Sequence, residues 1–388
     1  MDVTISNAVK YIGVDDTTID LFESQYVVPE GVSYNSYVIL DEKIAVMDTV
    51  DKRGMEEWEA NLLKALDGKK VDYLVVQHLE PDHAGSVARL VELFPDVTLV
   101  GNAKTFAMLP QFFDFPLEGH TMTVKEGDTL SLGEHTLTFV MAPMVHWPEV
   151  MVSYESKEKI LFSADGFGKF GALSKTEDDD WACEARRYYF NIVGKYGAPV
   201  QTLLKKASAL EIATICPLHG PILKEDLGYY LDKYNTWSSY TPEDKGILIA
   251  YASIHGNTAE AANKLADILR EKGAEKVVVS DLAREDMAEV IEDAFRYDRM
   301  IVAAASYDAG VFPCMQDFLH HLQSKAYQNR KVGIMENGSW APSAAKAMGA
   351  VLESMKNVEI AEPTVTIRST LKDSDIPALE QLADAMIG

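Results

Sequence analysis

His78-Leu79-Glu80-Pro81-Asp82-His83 puts four potential metal ligands into six residues. The apolar run at 71–76 before it reads as a strand. Val87, Leu90, Val91 and Phe94 after it repeat at helical spacing. The hexapeptide therefore lies at the C-terminal end of a strand, just ahead of a helix. In extended chain, residues two apart face the same side, so His78 and Glu80 reach one metal together. Pro81 biases Glu80 toward that extended geometry. Asp82 and His83 then turn away at the start of the helix and reach a second metal. The competing reading is that Asp82 caps the helix and the histidines are ordinary loop residues.

Three later residues weigh against the bland reading. His146 follows a strand at 137–141, and Asp165 follows one at 160–162. His219 follows an apolar run ending at Cys216 and precedes Gly220-Pro221. Each alone reads equally as a loop histidine or an Asp-Gly turn. Together they place a His or Asp after three strands, on what the pattern offers as one sheet edge. Further strands at 37–40, 44–47 and 150–154, with helices at 55–66, from 181 and over 203–210, make the first half a layered α/β domain.

The pattern changes after Tyr240-Thr241-Pro242-Glu243-Asp244-Lys245-Gly246, which sets expected domains at 1–242 and 243–388. Strands at 247–252, 276–280, 300–304, 331–335 and 365–367 now alternate with helices at 258–272, 287–295, 315–323, 343–355 and 376–386. This is the signature of a doubly wound parallel sheet, whose ligands bind at the C-terminal strand ends. Three loops lie there. Ser253-Ile254-His255-Gly256-Asn257-Thr258 offers hydroxyls, N–H groups and a helix N-terminus to a phosphate monoester, though an N-capped helix explains it equally well. Ser306-Tyr307-Asp308-Ala309-Gly310 and Glu336-Asn337-Gly338-Ser339-Trp340 follow the third and fourth strands. Tyr307 and Trp340 suit a flat ring, or are surface aromatics.

The 388 residues are 47% hydrophobic and 25% charged, enough for sizeable cores. Acidic residues (60) outnumber basic ones (36), so a nucleic-acid backbone is repelled over most of the surface. No segment has the roughly 18 apolar residues of a membrane span. Met1-Asp2-Val3-Thr4 lacks a signal-peptide pattern, and the expected location is the cytoplasm. The three cysteines form no Cys-x-x-Cys pair, so no disulfide framework or sulfur-ligated iron is signalled.

With those residues in view, the chain resembles the flavodiiron proteins (A-type flavoproteins). The resemblance runs from Tyr34-Asn35-Ser36-Tyr37 to the C-terminal helix. Zinc hydrolases of the same superfamily carry His-x-His-x-Asp-His. Here Glu80 takes the second histidine's place, and a carboxylate, as a harder ligand, favours iron. The resemblance implies a metallo-β-lactamase-like αββα sandwich followed by a flavodoxin-like, FMN-binding domain. It implies a diiron site with His78, Glu80 and His146 on one iron, Asp82, His83 and His219 on the other, and Asp165 bridging. It implies reduction of O2 to water or NO to N2O, and a head-to-tail homodimer or dimer of dimers. Trp340 would lie between flavin and irons, and Tyr196 would line the gas pocket. The implied electron donor is separate, rubredoxin or a reduced deazaflavin coenzyme. His255 and Asn257 depart from the hydroxyl-rich phosphate loop of plain flavodoxins. Two rival readings are a zinc-dependent hydrolase with an accessory flavodoxin-like domain, and a flavodoxin-type carrier with a degenerate first domain.

Overall fold

Short apolar strands in the first half of the chain build two sheets that face each other. The computed structural model describes residues 5–116, 118–176 and 180–388. One sheet runs Val9–Tyr11, Tyr37–Ile39, Ala45–Met47, Tyr73–Val75, Thr98–Gly101, Thr121–Thr123 in spatial order. The other runs Thr129–Ser131, Thr136–Met141, Met151–Glu155, Ile160–Phe162, Thr214–Cys216. Tyr37, Ile39, Met47 and Val75 from the first share one buried cluster with Leu137, Phe139, Met151 and Phe162 from the second. Facing apolar faces of this kind make a sandwich. Helix Met55–Leu66 turns Trp58, Leu62 and Leu66, spaced four apart, inward and keeps Glu56 and Glu57 in its first turn. The result is the αββα architecture expected from the sequence.

Strand direction explains where the site collects. Thr136–Met141 and Ile160–Phe162 both run antiparallel to Met151–Glu155 between them, and Thr214–Cys216 runs parallel to Ile160–Phe162. Three strands thus end at the same edge of one sheet. The loops after them carry His146, Asp165 and His219.

In the second half, the spatial order is Val277–Asp281, Asp244–Ala252, Tyr297–Tyr307, Arg330–Asn337, then Val358–Ile360 and Val365–Ile367. These pair in parallel. In chain order this is 2-1-3-4-5, the flavodoxin-like winding, with its switch point between the first and third strands. The fifth strand comes in two pieces around Pro363, which has no N–H to give the ladder. Only the second piece was expected.

The chain packs as two compact units, Met1–Tyr189 with Ala198–Asn235, and Phe190–Gly197 with Thr236–Gly388. A single cut after residue 242 does not describe this grouping. Phe190 stacks on Phe295 with centroids 4.2 Å apart, and Asn191 Nδ2 donates to the Ala288 carbonyl at 3.2 Å. The chain crosses over at a π-helical turn, Tyr189–Val193. Among the described residues no helix is long and apolar enough to cross a membrane.

Candidate metal centre and flavin pocket

Glu80 precedes Pro81 and has φ −58° and ψ 138°, the extended geometry anticipated for it. Pro81–Ala84 then forms a single helical turn carrying Asp82 and His83 inward, both buried. Asp82 does not cap this turn; it stands inside it. Ala164, just before Asp165, has φ +49°, a left-handed turn in the loop after Ile160–Phe162.

The seven predicted ligands fall into two sets. Donor atoms of His78, Glu80, His146 and Asp165 lie within 4.8 Å of one another, and so do those of Asp82, His83 and His219. Asp165 faces both. Its Oδ2 is 3.2 Å from His78 Nε2 and 3.3 Å from His146 Nε2, while its Oδ1 is 3.1 Å from His83 Nε2. Glu80 Oε2 lies 3.1 Å from His78 Nε2 and 3.0 Å from His146 Nε2. Asp82 Oδ2 lies 3.3 Å from His83 Nε2 and 3.2 Å from His219 Nε2.

The cluster is electrostatically tense. Burial opposes the negative charge of Asp165, yet the surrounding imidazoles, His78 foremost, hold its carboxyl well below the usual range. Burial likewise opposes a proton on His146, but the facing carboxylates of Asp165 and Glu80 push its pKa up to about 9. The same carboxylates that would face a cation thus favour a proton on His146. Metal binding must displace it, so affinity rises with pH. The expected slope of iron(II) affinity below pH 9 is about tenfold per pH unit for each displaced proton, measured by competition with a chelator.

The residues around the ligands escaped the sequence reading. Trp147 stands edge-on to His78 at 5.3 Å, and Phe22 edge-on to His219 at 5.4 Å. Buried Asn35 donates through Nδ2 to the carbonyls of Pro217 and Gly220, both at 2.8 Å, clamping the loop that carries His219. A cavity of about 180 Å³ lined by Phe22, Glu23, Tyr34 and Arg53 opens onto Glu80 and Asp82. Tyr196 lies half-buried in the turn Gly194–Tyr196 of the second unit.

In the second unit the three expected loops converge on one cavity of about 670 Å³. Ser253, Ile254, His255, Asn257 and Thr258 line it from the first loop. Ser306, Tyr307, Asp308 and Ala309 come from the second, and Asn337, Gly338, Ser339 and Trp340 from the third. Gly256 and Gly310 do not line it. Gly256, at φ +91°, lets the chain enter helix Asn257–Glu271, and Gly310 pairs with Tyr307 across a tight turn. That turn holds Asp308 and Ala309 at φ +48° and +59°. Ser306 Oγ accepts the N–H groups of Ser343 and Ala344 at 2.8 and 3.2 Å, so it ties two loops together. A fourth segment, unread in the sequence, brings Ser369, whose N–H and carbonyl both bond to the Asn337 side chain.

Comparison with known proteins follows this division. The family model of the ODP family beta lactamase matches residues 32–220, and that of flavodoxin matches residues 249–360. A nitric oxide reductase of Moorella thermoacetica is 31% identical over 98% of this chain and 96% of its own. A rubredoxin-oxygen oxidoreductase of Megalodesulfovibrio gigas is 29% identical over 97% and 94%. Among solved structures, the rubredoxin oxygen:oxidoreductase of Desulfovibrio gigas superposes with a TM-score of 0.92 at 26% identity, covering 100% of this chain and 98% of that one. A variant of the flavo di-iron protein of Thermotoga maritima gives 0.88 at 26%, covering 98% and 95%.

The chain belongs to the flavodiiron proteins.

Family membership implies FMN and two irons, and the residues fit both. Both carboxylate oxygens of Asp82 and of Asp165, and Nε2 of His83 and His219, are buried without an aligned hydrogen bond among the described residues. Each buried polar atom left so costs about 1–3 kcal/mol. Six in one place are accounted for by cations between them. Three carboxylates with four imidazoles form a mixed oxygen and nitrogen donor set, harder than an all-histidine one and suited to iron. In this flavodiiron chain the flavin pocket offers a helix N-terminus at Asn257 for a phosphate and the Tyr307 and Trp340 rings for an isoalloxazine. Gly338 has little spare room: a Cβ there would stand 2.9 Å from Pro342 Cα and 3.1 Å from Ser306 Oγ. Gly338→Val is expected to force the loops apart at about 1–3 kcal/mol, weakening FMN roughly tenfold or more, read by flavin fluorescence titration.

Proposed function

We propose that this chain is an oxidoreductase that reduces O2 to water, NO to N2O, or both, with electrons from an external donor of the rubredoxin type. The observation that carries the reading is Asp165, one oxygen toward each ligand set, beside a carboxylate, Glu80, where zinc hydrolases of this fold hold histidine. The proposed ligands are His78, Glu80, His146 and Asp165 at one position and Asp82, His83, His219 and Asp165 at the other. When bound, two ferrous ions and reduced FMN supply the four electrons that turn O2 and four protons into two waters, or the two that turn two NO and two protons into N2O and water.

The chain's own residues do the rest. Asp165 fixes the spacing of the two positions, and Glu80 and Asp82 bring one further negative charge to each. The buried imidazoles keep bulk water from the centre. The cavity beside Phe22 and Tyr34 admits a small diatomic to the face of Glu80 and Asp82. Trp340, 89% exposed at the rim of the flavin pocket, supports a head-to-tail homodimer, or a dimer of such dimers, in which each flavin faces the metals of a second copy. The cytoplasm is the proposed setting.

The test is to reduce the purified holoenzyme without oxygen and feed it O2 and NO separately. Rapid consumption of at least one is expected. Consumption of neither sinks the proposal. Colourless protein containing zinc but no iron favours the hydrolase instead.

A further inference from the structure

The two ligand sets differ in what stands behind them. His78 Nδ1 is 2.8 Å from Glu149 Oε1, and that oxygen also accepts the Leu79 N–H at 2.9 Å. The side chains of His78 and Glu149 are both fully buried. Glu149 is itself pinned, since Asn102 Nδ2 donates to its carbonyl at 2.6 Å and Met151 N–H bonds the Gln77 carbonyl at 3.1 Å. Among the described residues no carboxylate hydrogen-bonds an imidazole of the other set from behind. His219 Nδ1 meets only the backbone carbonyl of Ser33, at 2.7 Å. His83 Nδ1 is buried with no hydrogen-bond partner among the described residues.

Charge follows the same division. Asp165 is shared, and Glu80 and Asp82 give each position one carboxylate of its own. Glu149 adds a further negative charge bonded directly to a ligand imidazole, His78, whereas the buried Asp48 carboxyl acts on His83 only through space and bonds the N–H groups of Gln77 and His78. A carboxylate behind an imidazole fixes the tautomer with the proton on Nδ1, aims Nε2 at the metal and raises its basicity. A neutral carbonyl fixes the tautomer but adds no full charge. In a buried site that extra charge is poorly screened.

Resting on the diiron reading above, we propose that Glu149 is a positioning residue that makes the His78 position the tighter of the two, so that the first iron binds there. The asymmetry lies in the protein and precedes any difference imposed by substrate.

The experiment uses full-length, FMN-loaded protein stripped of metal and crystallised, then soaked without oxygen in half an equivalent of Fe2+. Anomalous scattering at the iron edge gives the occupancy of each position. A clear excess at the His78 position is expected; equal occupancy, or an excess at the His219 position, overturns the inference. Iron at neither position overturns the diiron reading beneath it. This measurement needs no variant, so it stands even if substitution harms folding. Glu149→Gln keeps the size and the accepting oxygen but removes the charge. Its tighter Fe2+ dissociation constant is expected to rise about 10–100-fold, with the weaker step nearly unchanged and the occupancy difference lost. Wild-type affinity and preference in a folded Glu149→Gln protein overturn the inference too.

Discussion

Asp165→Ala is expected to yield protein with less than about a tenth of the wild-type iron, fully yellow with FMN, and more than about 100-fold slower with O2 and NO. The expectation rests on position. Among the described residues Asp165 alone faces both sets, with Oδ2 toward His78 and His146 and Oδ1 toward His83. Its removal takes a charge and a donor from each position at once. Losses behind a ligand typically weaken a metal about 10–100-fold, and losing a shared ligand exceeds that. The flavin should stay, because its pocket is lined only by residues 253–369. Iron by elemental analysis and flavin by absorbance on one sample decide the matter. Near-normal iron would show that Asp165 does not join the positions.

Glu80→His carries the second large effect. It restores the histidine pattern of the zinc hydrolases at the one place where this chain departs from it. Imidazole in place of carboxylate removes a negative charge and the harder donor, and nitrogen-rich sites hold zinc well above iron(II). There is room for the ring, since Glu80 borders the cavity beside Phe22 and keeps 16% of its side chain exposed. Protein grown with both metals present should carry zinc in excess of iron and lose O2 and NO consumption about 100-fold, since zinc has no redox chemistry. Iron retained at the wild-type ratio would refute the role given to Glu80.

The two results bear on what a sequence can reveal. The candidate ligands could be picked out because each sits next to a recognisable strand, and four fall in one short run. The doubly wound half was legible because its strands and helices are long enough to show a period. Val9–Tyr11, Thr98–Gly101 and Thr129–Ser131 were not, since these short mixed segments form no apolar run like Ile160–Phe162 and are too brief to show alternation. Glu149 was invisible for another reason. It lies 71 positions from His78, and an acidic residue after Trp147-Pro148 carries no mark of burial. Asn35, 182 residues from the Pro217 carbonyl it holds, is the same case. Ser369 joined the flavin pocket only once the fifth strand had placed it beside Asn337. What escaped was contact between distant residues, which local pattern does not encode.

The segment Phe190–Gly197 has a consequence for anyone recombining this chain. The polypeptide passes between its two units three times, after Tyr189, Gly197 and Asn235. A gene cut at residue 242 would therefore sever Phe190 from the Phe295 face it stacks on, leaving a greasy scar on each fragment. Exchanging the flavin-binding half for another flavodoxin means replacing Phe190–Gly197 together with Thr236–Gly388. Each unit is thus encoded by two separate stretches of the gene rather than by one.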